Sequence, residues 1–221
     1  MMSLFSVFDP TSFFGISFNW IIILMLMMII PTKYYIINSG MFMLFKIIYM
    51  SVSKMFYEVS FPNYIALNFV CVIFFVYVML SNLIGLFPFV FTMTAHPCIT
   101  LGMGLVMWMS FFLMGWSKNF LFSAAHLVPI GSPMGLAPLM VLIESVSHLI
   151  RPFTLSIRLA ANMMAGHLII GLLSSISMIS MLGFYTSLLF QSLLLMLEFG
   201  VAIIQGFVFS ILLLLYALDY Y

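Results

Sequence analysis

Charged residues are scarce in this 221-residue sequence, where Asp, Glu, Lys and Arg together make up 5%. Soluble domains usually contain about 25% of these residues. Hydrophobic residues make up 66% of the chain, which excludes a water-soluble domain and predicts several helical spans of about 20 apolar residues. Short segments of alternating polarity, which would indicate a β-barrel, do not occur. The composition therefore predicts an all-α polytopic membrane protein, with a single membrane domain over 1–221.

Other absences exclude whole classes of function. The two cysteines, Cys71 and Cys98, form neither a disulfide framework nor a metal motif, so no metal site is predicted. Phosphate loops, nucleophile motifs and facing pairs of haem-ligating histidines do not occur, and no cofactor is expected. A net charge of +1 without a basic patch predicts no nucleic-acid partner. The first charge is Asp9 and the first arginine is Arg151, so neither a cleavable signal nor a mitochondrial transit peptide is expected.

Apolar stretches predict about five membrane helices, of which the last two are long. The predicted spans are 13–30, which ends at Pro31, then 63–86, 99–116, 139–173 and 184–218. Residues 33–60 mix four charged side chains with apolar ones, which is typical of an amphipathic helix lying in the interface. The alternative is a loop that flanks two spans. Prolines and glycines in 120–140 predict a broken connection, and the serines of 174–180 predict a turn.

The distribution of lysines predicts the orientation. They lie in the connections 31–62 and 117–138, whereas the loop 87–97 has none. Because positive residues collect on one side of a membrane, both lysine-bearing connections are expected on that side. The N-terminus is then on the opposite side and the C-terminus on the positive side. The last two helices exceed the roughly 20 residues that cross a bilayer, so we expect them to be strongly tilted.

The last two predicted helices carry ionisable and amide side chains within an apolar background. If the first of these helices is continuous through Pro152, one stripe about 80° wide carries five polar residues. They are Glu144, His148, Arg151, Arg158 and Asn162. His167 faces elsewhere. On the last helix Gln191, Glu198 and Gln205 recur every seven residues and share one face.

These residues favour proton transfer over passive packing. An ionisable group at membrane depth costs about 2.5–3.5 kcal/mol on insertion scales, so it indicates a functional site. Arginine stays charged in almost any environment, whereas His and Glu can change protonation state. The alternative from another class is a self-contained ion-coupled membrane transporter. Such a transporter usually has two related halves, but the ionisable groups within the predicted spans lie in one half of the chain only.

Two runs of sequence resemble a known family. SIRLAANMMAGHLI (156–169) and LEFGVAIIQGFVFSILLLLYALD (197–219) resemble subunit a of the F-type ATP synthase in its mitochondrial form. The opening LFSVFDP (4–10) is similar to arthropod members, and the resemblance extends over essentially the whole chain. It implies a proton-translocating stator subunit that is not an enzyme by itself. The implied partners are the c-subunit ring, other membrane and peripheral-stalk subunits, and the lipid of the mitochondrial inner membrane, with the matrix on the positive side.

The resemblance also implies roles for individual residues. The family's invariant arginine corresponds to Arg158 and its glutamine partner to Gln205, and Asn162 belongs to the same Arg-Leu-x-x-Asn pattern. His167 and Glu198 correspond to an intermembrane-side pair that is exchanged in bacterial members, and Glu144 corresponds to the carboxylate of the matrix half-channel. His148 and Gln191 are candidates for channel lining. The resemblance assigns no role to Arg151.

Overall fold

The computed structural model describes residues 8–10, 17–29, 40–60, 65–87, 90–118, 120–128, 134–178 and 180–220. All regular structure in these ranges is helical, and four of their helices are long and apolar enough to cross a membrane, so the predicted all-α polytopic class is confirmed. The α-helices in chain order are α1 (Ile22–Ile29), α2 (Gly40–Val59), α3 (Ile65–Gly85), α4 (Pro97–Lys118), α5 (Phe120–His126), α6 (Ala137–Ser177) and α7 (Met181–Tyr220). The four possible spans are α3, α4, α6 and α7.

Several predicted elements fall partly outside the described residues. Of the predicted first span, α1 and a short 3-10 turn at Phe18–Ile21 are described, while 13–16 and 30 lie outside. The predicted interfacial segment 33–60 contains α2, and 33–39 lies outside. Within the broken connection 120–140 the chain forms α5 and a 3-10 turn at Met134–Leu136, and 129–133 lies outside.

The serine-rich turn predicted at 174–180 is wrong for most of its length, because α6 continues to Ser177. The hydroxyl groups of Ser174, Ser175 and Ser177 donate hydrogen bonds to backbone carbonyls three residues earlier, at 2.6–2.7 Å. A serine whose hydroxyl is satisfied in this way tolerates a helix in apolar surroundings. The same device appears at Ser156, which donates to the carbonyl of Pro152 at 2.8 Å, and α6 runs through this proline without interruption.

Helix α7 lies at the centre of the bundle and contacts α3, α6 and α4. One buried apolar cluster joins these helices, and it includes Phe75 and Val78 of α3 together with Phe209 and Leu213 of α7. Small residues set the closest approach: a Cβ on Gly206 would lie 3.3 Å from the backbone of Met79. Further packing joins α6 to α4 and α2 to α3.

The two long helices α6 and α7 extend well beyond the length of an ordinary span. They contain 41 and 40 residues, which corresponds to roughly 60 Å at 1.5 Å per residue. The hydrocarbon core of a bilayer is only about 30 Å thick. Each helix also presents an apolar face that no other described part of the chain covers; its exposed residues include Leu142, Leu149, Ile157, Leu189, Leu193 and Met196. The polar residues of the candidate site lie on these same two helices.

Candidate functional site

Two contacts define how α6 and α7 lie against each other. The carboxylate of Glu198 on α7 lies against the backbone of Gly166 on α6. Toward the other end of the pair, the guanidinium carbon of Arg151 lies 5.5 Å from the centre of the Tyr216 ring. The two helices are therefore antiparallel, and a step toward the C-terminus of α7 corresponds to a step toward the N-terminus of α6. This register gives the level of every polar residue between the two contacts.

His167 and Glu198 form the first cluster of ionisable groups. A Cβ built on Gly166 would overlap Oε1 of Glu198, so only glycine leaves room for this carboxylate beside His167. The His167 ring makes a hydrogen-bonding contact with the backbone of Gly85 at the end of α3, and Phe8 meets it edge-on with ring centroids 6.5 Å apart. Both side chains are half-buried. The Glu198 carboxylate therefore reaches α6 one residue before His167, whose ring also contacts the end of α3.

The remaining polar atoms of this first cluster are not satisfied within the described chain. Nε2 of His167 and Oε2 of Glu198 are buried, and neither has a hydrogen-bond partner among the described residues. The two side chains do not form an ion pair within 4.0 Å of each other. Unpaired buried polar atoms are costly. A group that donates a hydrogen bond to one of these atoms and accepts one from the other would satisfy both of them.

Glu144, His148 and Arg151 form the second cluster, one to two turns apart on α6. Oε1 of Glu144 lies 3.3 Å from Nε2 of His148 and 3.6 Å from a terminal nitrogen of Arg151. His148 is buried, whereas Glu144 and Arg151 are about one-third exposed. The stripe predicted from helical spacing thus brings these three side chains together. Tyr216 of α7 completes the cluster through its contact with Arg151.

Arg158 lies between the two clusters along α6. Its side chain is exposed, and no carboxylate of the described residues lies within 4.0 Å of it. Asn162 follows one turn later and is half-buried. Gln205 is seven residues after Glu198, so the antiparallel register places it at the level of Leu159, beside Arg158. Gln205 and Arg158 therefore lie at the same height along the two helices, which is compatible with the predicted pairing.

The two clusters are widely separated along the helix axes. Fifteen residues of α6 separate Arg151 from Gly166, which corresponds to about 22 Å at 1.5 Å per residue. Arg158 is near the midpoint of this interval. This distance is far too long for direct proton transfer, which needs groups within about 3 Å or joined by water. The arrangement is therefore two separate clusters of ionisable side chains with a fixed cation between them.

One predicted residue lies apart, and several contacts escaped prediction. Gln191 is half-buried and lies seven residues before Glu198, so it is beyond the first cluster, near the end of α6.

Sequence reasoning missed the contact of Gly166 with Glu198 and that of Tyr216 with Arg151. It also missed the hydrogen bond between α3 and α7 in which the fully buried Asn82 donates from Nδ2 to the carbonyl of Ala202 at 3.4 Å. Gly166 next to His167 and Tyr216 near the C-terminus can be read from the sequence, but the sequence does not identify the residue that each of them contacts.

The family model described as ATP synthase A chain matches residues 14–217. The chain is 43% identical over 218 residues to the ATP synthase subunit a of Artemia franciscana, which covers 98% of this chain and 99% of that one. It is 39% identical over 219 residues to the subunit a of Drosophila melanogaster, with 98% of each chain covered. The subunit a of Locusta migratoria is 39% identical over 231 aligned residues, with both chains fully covered. The similarity therefore includes α6, α7 and both clusters.

Proposed function

Because the chain belongs to the ATP synthase A chain family, we propose that it translocates protons as the stator subunit of the membrane sector, through two offset half-channels that serve the carboxylates of a c-subunit ring. The chain is a membrane subunit of the ATP synthase complex and not a catalytic enzyme by itself. One observation carries the proposal: the exposed Arg158 lies midway between two ionisable clusters that are too far apart to exchange a proton directly.

The exposed face of α6 and α7 is the surface that a ring of c subunits would contact. A carboxyl group can cross lipid cheaply when it is neutral, whereas the ionised form is costly there. A ring carboxylate must therefore take up a proton before it leaves the stator and lose it on return. Arg158 attracts the ionised carboxylate and favours loss of the proton. As a fixed cation it also repels a proton that would otherwise pass straight from one cluster to the other.

His167 and Glu198 are the proposed proton path on the intermembrane side. Each side chain carries one buried polar atom that no described residue satisfies, and both atoms belong to groups that can bind or release a proton. The close approach of Glu198 to Gly166 keeps the carboxylate next to His167. From this cluster to the level of Gln205 and the ring is about 10 Å along α7, so a proton would cover this distance through water.

Glu144 and His148 are the proposed proton path on the matrix side. Their 3.3 Å separation is close to hydrogen-bond length, and Glu144 is accessible from outside the bundle. A ring carboxylate deprotonated near Arg158 would pass its proton to this pair. Asn162 and Gln205, at the level of Arg158, are the proposed polar lining between ring and channels, and Gln191 lines the intermembrane side. The membrane potential then supplies about 2.3 kcal/mol per proton per 100 mV.

The proposed location is the mitochondrial inner membrane, with the N-terminus toward the intermembrane space and the C-terminus toward the matrix. The multi-pass character is consistent with four apolar helices of sufficient length. The proposed orientation rests on the lysines: Lys46 and Lys54 on α2 and Lys118 at the end of α4 are expected on the matrix side. The c-subunit ring, other membrane and peripheral-stalk subunits and lipid are the proposed partners.

Substitution of Arg158 tests the proposal. Arg158→Lys retains a charge but loses the planar guanidinium, and we expect assembled complexes that no longer make ATP from a proton gradient. Arg158→Ala should in addition let protons leak through the complex, because the fixed cation is gone. ATP synthesis and passive proton flux are measured in inner-membrane vesicles, with Lys46→Gln as a control that removes an exposed charge on α2. Full ATP synthesis by Arg158→Lys would refute the proposal.

A further inference from the structure

We propose that Arg151 is a positioning residue for the matrix-side cluster: held over the Tyr216 ring of α7, it fixes the carboxylate of Glu144 beside His148. The inference rests on the proposed function, because it concerns the geometry of a proton path assigned above. It goes beyond that function by giving roles to Arg151 and Tyr216, and by making the path depend on the contact between α6 and α7.

Three contacts converge on Arg151 and Glu144. The terminal nitrogen of Arg151 lies 3.6 Å from Oε1 of Glu144, and its guanidinium carbon lies 5.5 Å from the centre of the Tyr216 ring. That distance is within the roughly 6 Å at which a cation and an aromatic face attract each other. His148 approaches the same Oε1 atom at 3.3 Å. Because both contacts use Oε1, the second oxygen of Glu144 is not occupied by either of them.

Arg151 is suited to positioning and not to carrying the proton. A guanidinium does not release its proton near neutral pH, so it cannot be a step in the transfer. A glutamate side chain has several rotamers available, and transfer requires donor and acceptor within about 2.6–3.2 Å. A cation that is itself held by a ring on another helix restricts those rotamers and keeps the Glu144 carboxylate next to His148.

Tyr216 links this geometry to the packing of the two long helices. It is half-buried on α7, one residue before Ala217, which belongs to the central apolar cluster. The Tyr216 backbone is therefore well fixed relative to α3 and α4. A purely electrostatic role for Arg151 would not require the aromatic ring, whereas a positioning role does. The two roles predict different results for substitutions of Tyr216.

The test measures ATP-driven proton pumping by assembled complexes in inner-membrane vesicles. Arg151→Gln removes the cation, and we expect pumping to slow roughly tenfold or more, since a 1 Å misplacement can cost about 100-fold. Tyr216→Leu removes the ring and should slow pumping roughly three- to tenfold. Tyr216→Phe retains the ring and should restore most of the parent rate. Tyr57→Leu, at an exposed position on α2, is the matched control and should pump at the parent rate.

Combined variants separate positioning from general destabilisation. If Arg151 acts through Tyr216, the double variant Arg151→Gln/Tyr216→Leu should be no slower than Arg151→Gln alone, because the two changes remove one constraint. In a Glu144→Gln background, Arg151→Gln should add no further loss. Independent, multiplying defects in either combination would overturn the inference. Should Arg151→Gln fail to assemble, equal rates for Tyr216→Leu and Tyr216→Phe overturn it as well.

The failure of this inference can be told apart from failure of the proposed function. If Glu144→Gln alone leaves pumping unchanged, the matrix-side path is wrong, and with it the proposal for Arg151. If Glu144→Gln slows pumping while Arg151→Gln does not, only the positioning role of Arg151 is overturned.

Discussion

The substitution Gly166→Ala should disable proton transfer while leaving the fold intact. The added Cβ would overlap Oε1 of Glu198 and would lie 2.5 Å from its Cδ and 3.2 Å from its Cγ. Ordinary contacts of a Cβ are 3.4–4 Å, so the carboxyl carbon must retreat by about 1 Å. Because Glu198 has a flexible side chain, it can move without shifting a helix. Alanine also favours a helix over glycine by about 1 kcal/mol, which should help the complex to assemble.

The expected result is a large loss of rate without a comparable loss of assembly. A displacement of about 1 Å can slow a proton transfer by roughly 100-fold. ATP-driven acidification of inner-membrane vesicles, normalised to the amount of assembled complex, measures the rate. Gly102→Ala is the matched control, because nothing lies within 4 Å of a Cβ at that position on α4, and it should pump at the parent rate.

A compensating change makes the test specific. Glu198→Asp shortens the side chain by one methylene, which roughly matches the space taken by the new Cβ. The double variant Gly166→Ala/Glu198→Asp should therefore pump faster than Gly166→Ala alone. A parent rate for Gly166→Ala would refute the reasoning, because Glu198 would then not need its place against Gly166. A double variant no faster than the single variant would show that the loss has another cause.

Three further predictions concern the relay, the orientation and the need for partners. His167→Glu and Glu198→His should each strongly slow pumping at matched assembly. The double exchange should recover part of the rate, because it restores one acid and one base. If its rate is instead the simple product of the two single defects, His167 and Glu198 do not act as one relay. Thiol reagents should reach Cys98, which is exposed, only from the intermembrane side, and amine reagents should reach Lys46 only from the matrix side; labelling of both from one side would reject the orientation. The isolated chain in liposomes should show no coupled transport, and saturable solute uptake by it would favour a self-contained transporter.

The overall fold was largely predictable because hydrophobicity alone determines which segments can cross a membrane. Long apolar runs predicted helices near the positions of α3, α4, α6 and α7, and the predicted family is confirmed by the match over residues 14–217. The end of α6 was predicted too early. Serine usually favours turns, but here its hydroxyl bonds within the helix and removes the reason to stop.

The candidate site was predictable along one helix and not between helices. Helical periodicity suffices to place Glu144, His148 and Arg151 on one face of α6. It contains no information on which residue of α7 lies opposite, because that register depends on how both helices pack against α3 and α4. The contacts of Glu198 with Gly166 and of Arg151 with Tyr216 therefore appeared only in the structure. They are also the contacts on which the sharpest tests depend.

The exposure of Arg158 has a consequence for how the subunit is assembled. Without the proposed ring, this exposed guanidinium on an apolar surface would face lipid, at a cost of about 2.5–3.5 kcal/mol on insertion scales. In the proposed complex a ring carboxylate would relieve that cost, so association with the ring would stabilise the subunit by mass action. Under the proposed function, Arg158 would thus make the unassembled subunit less stable than the assembled one.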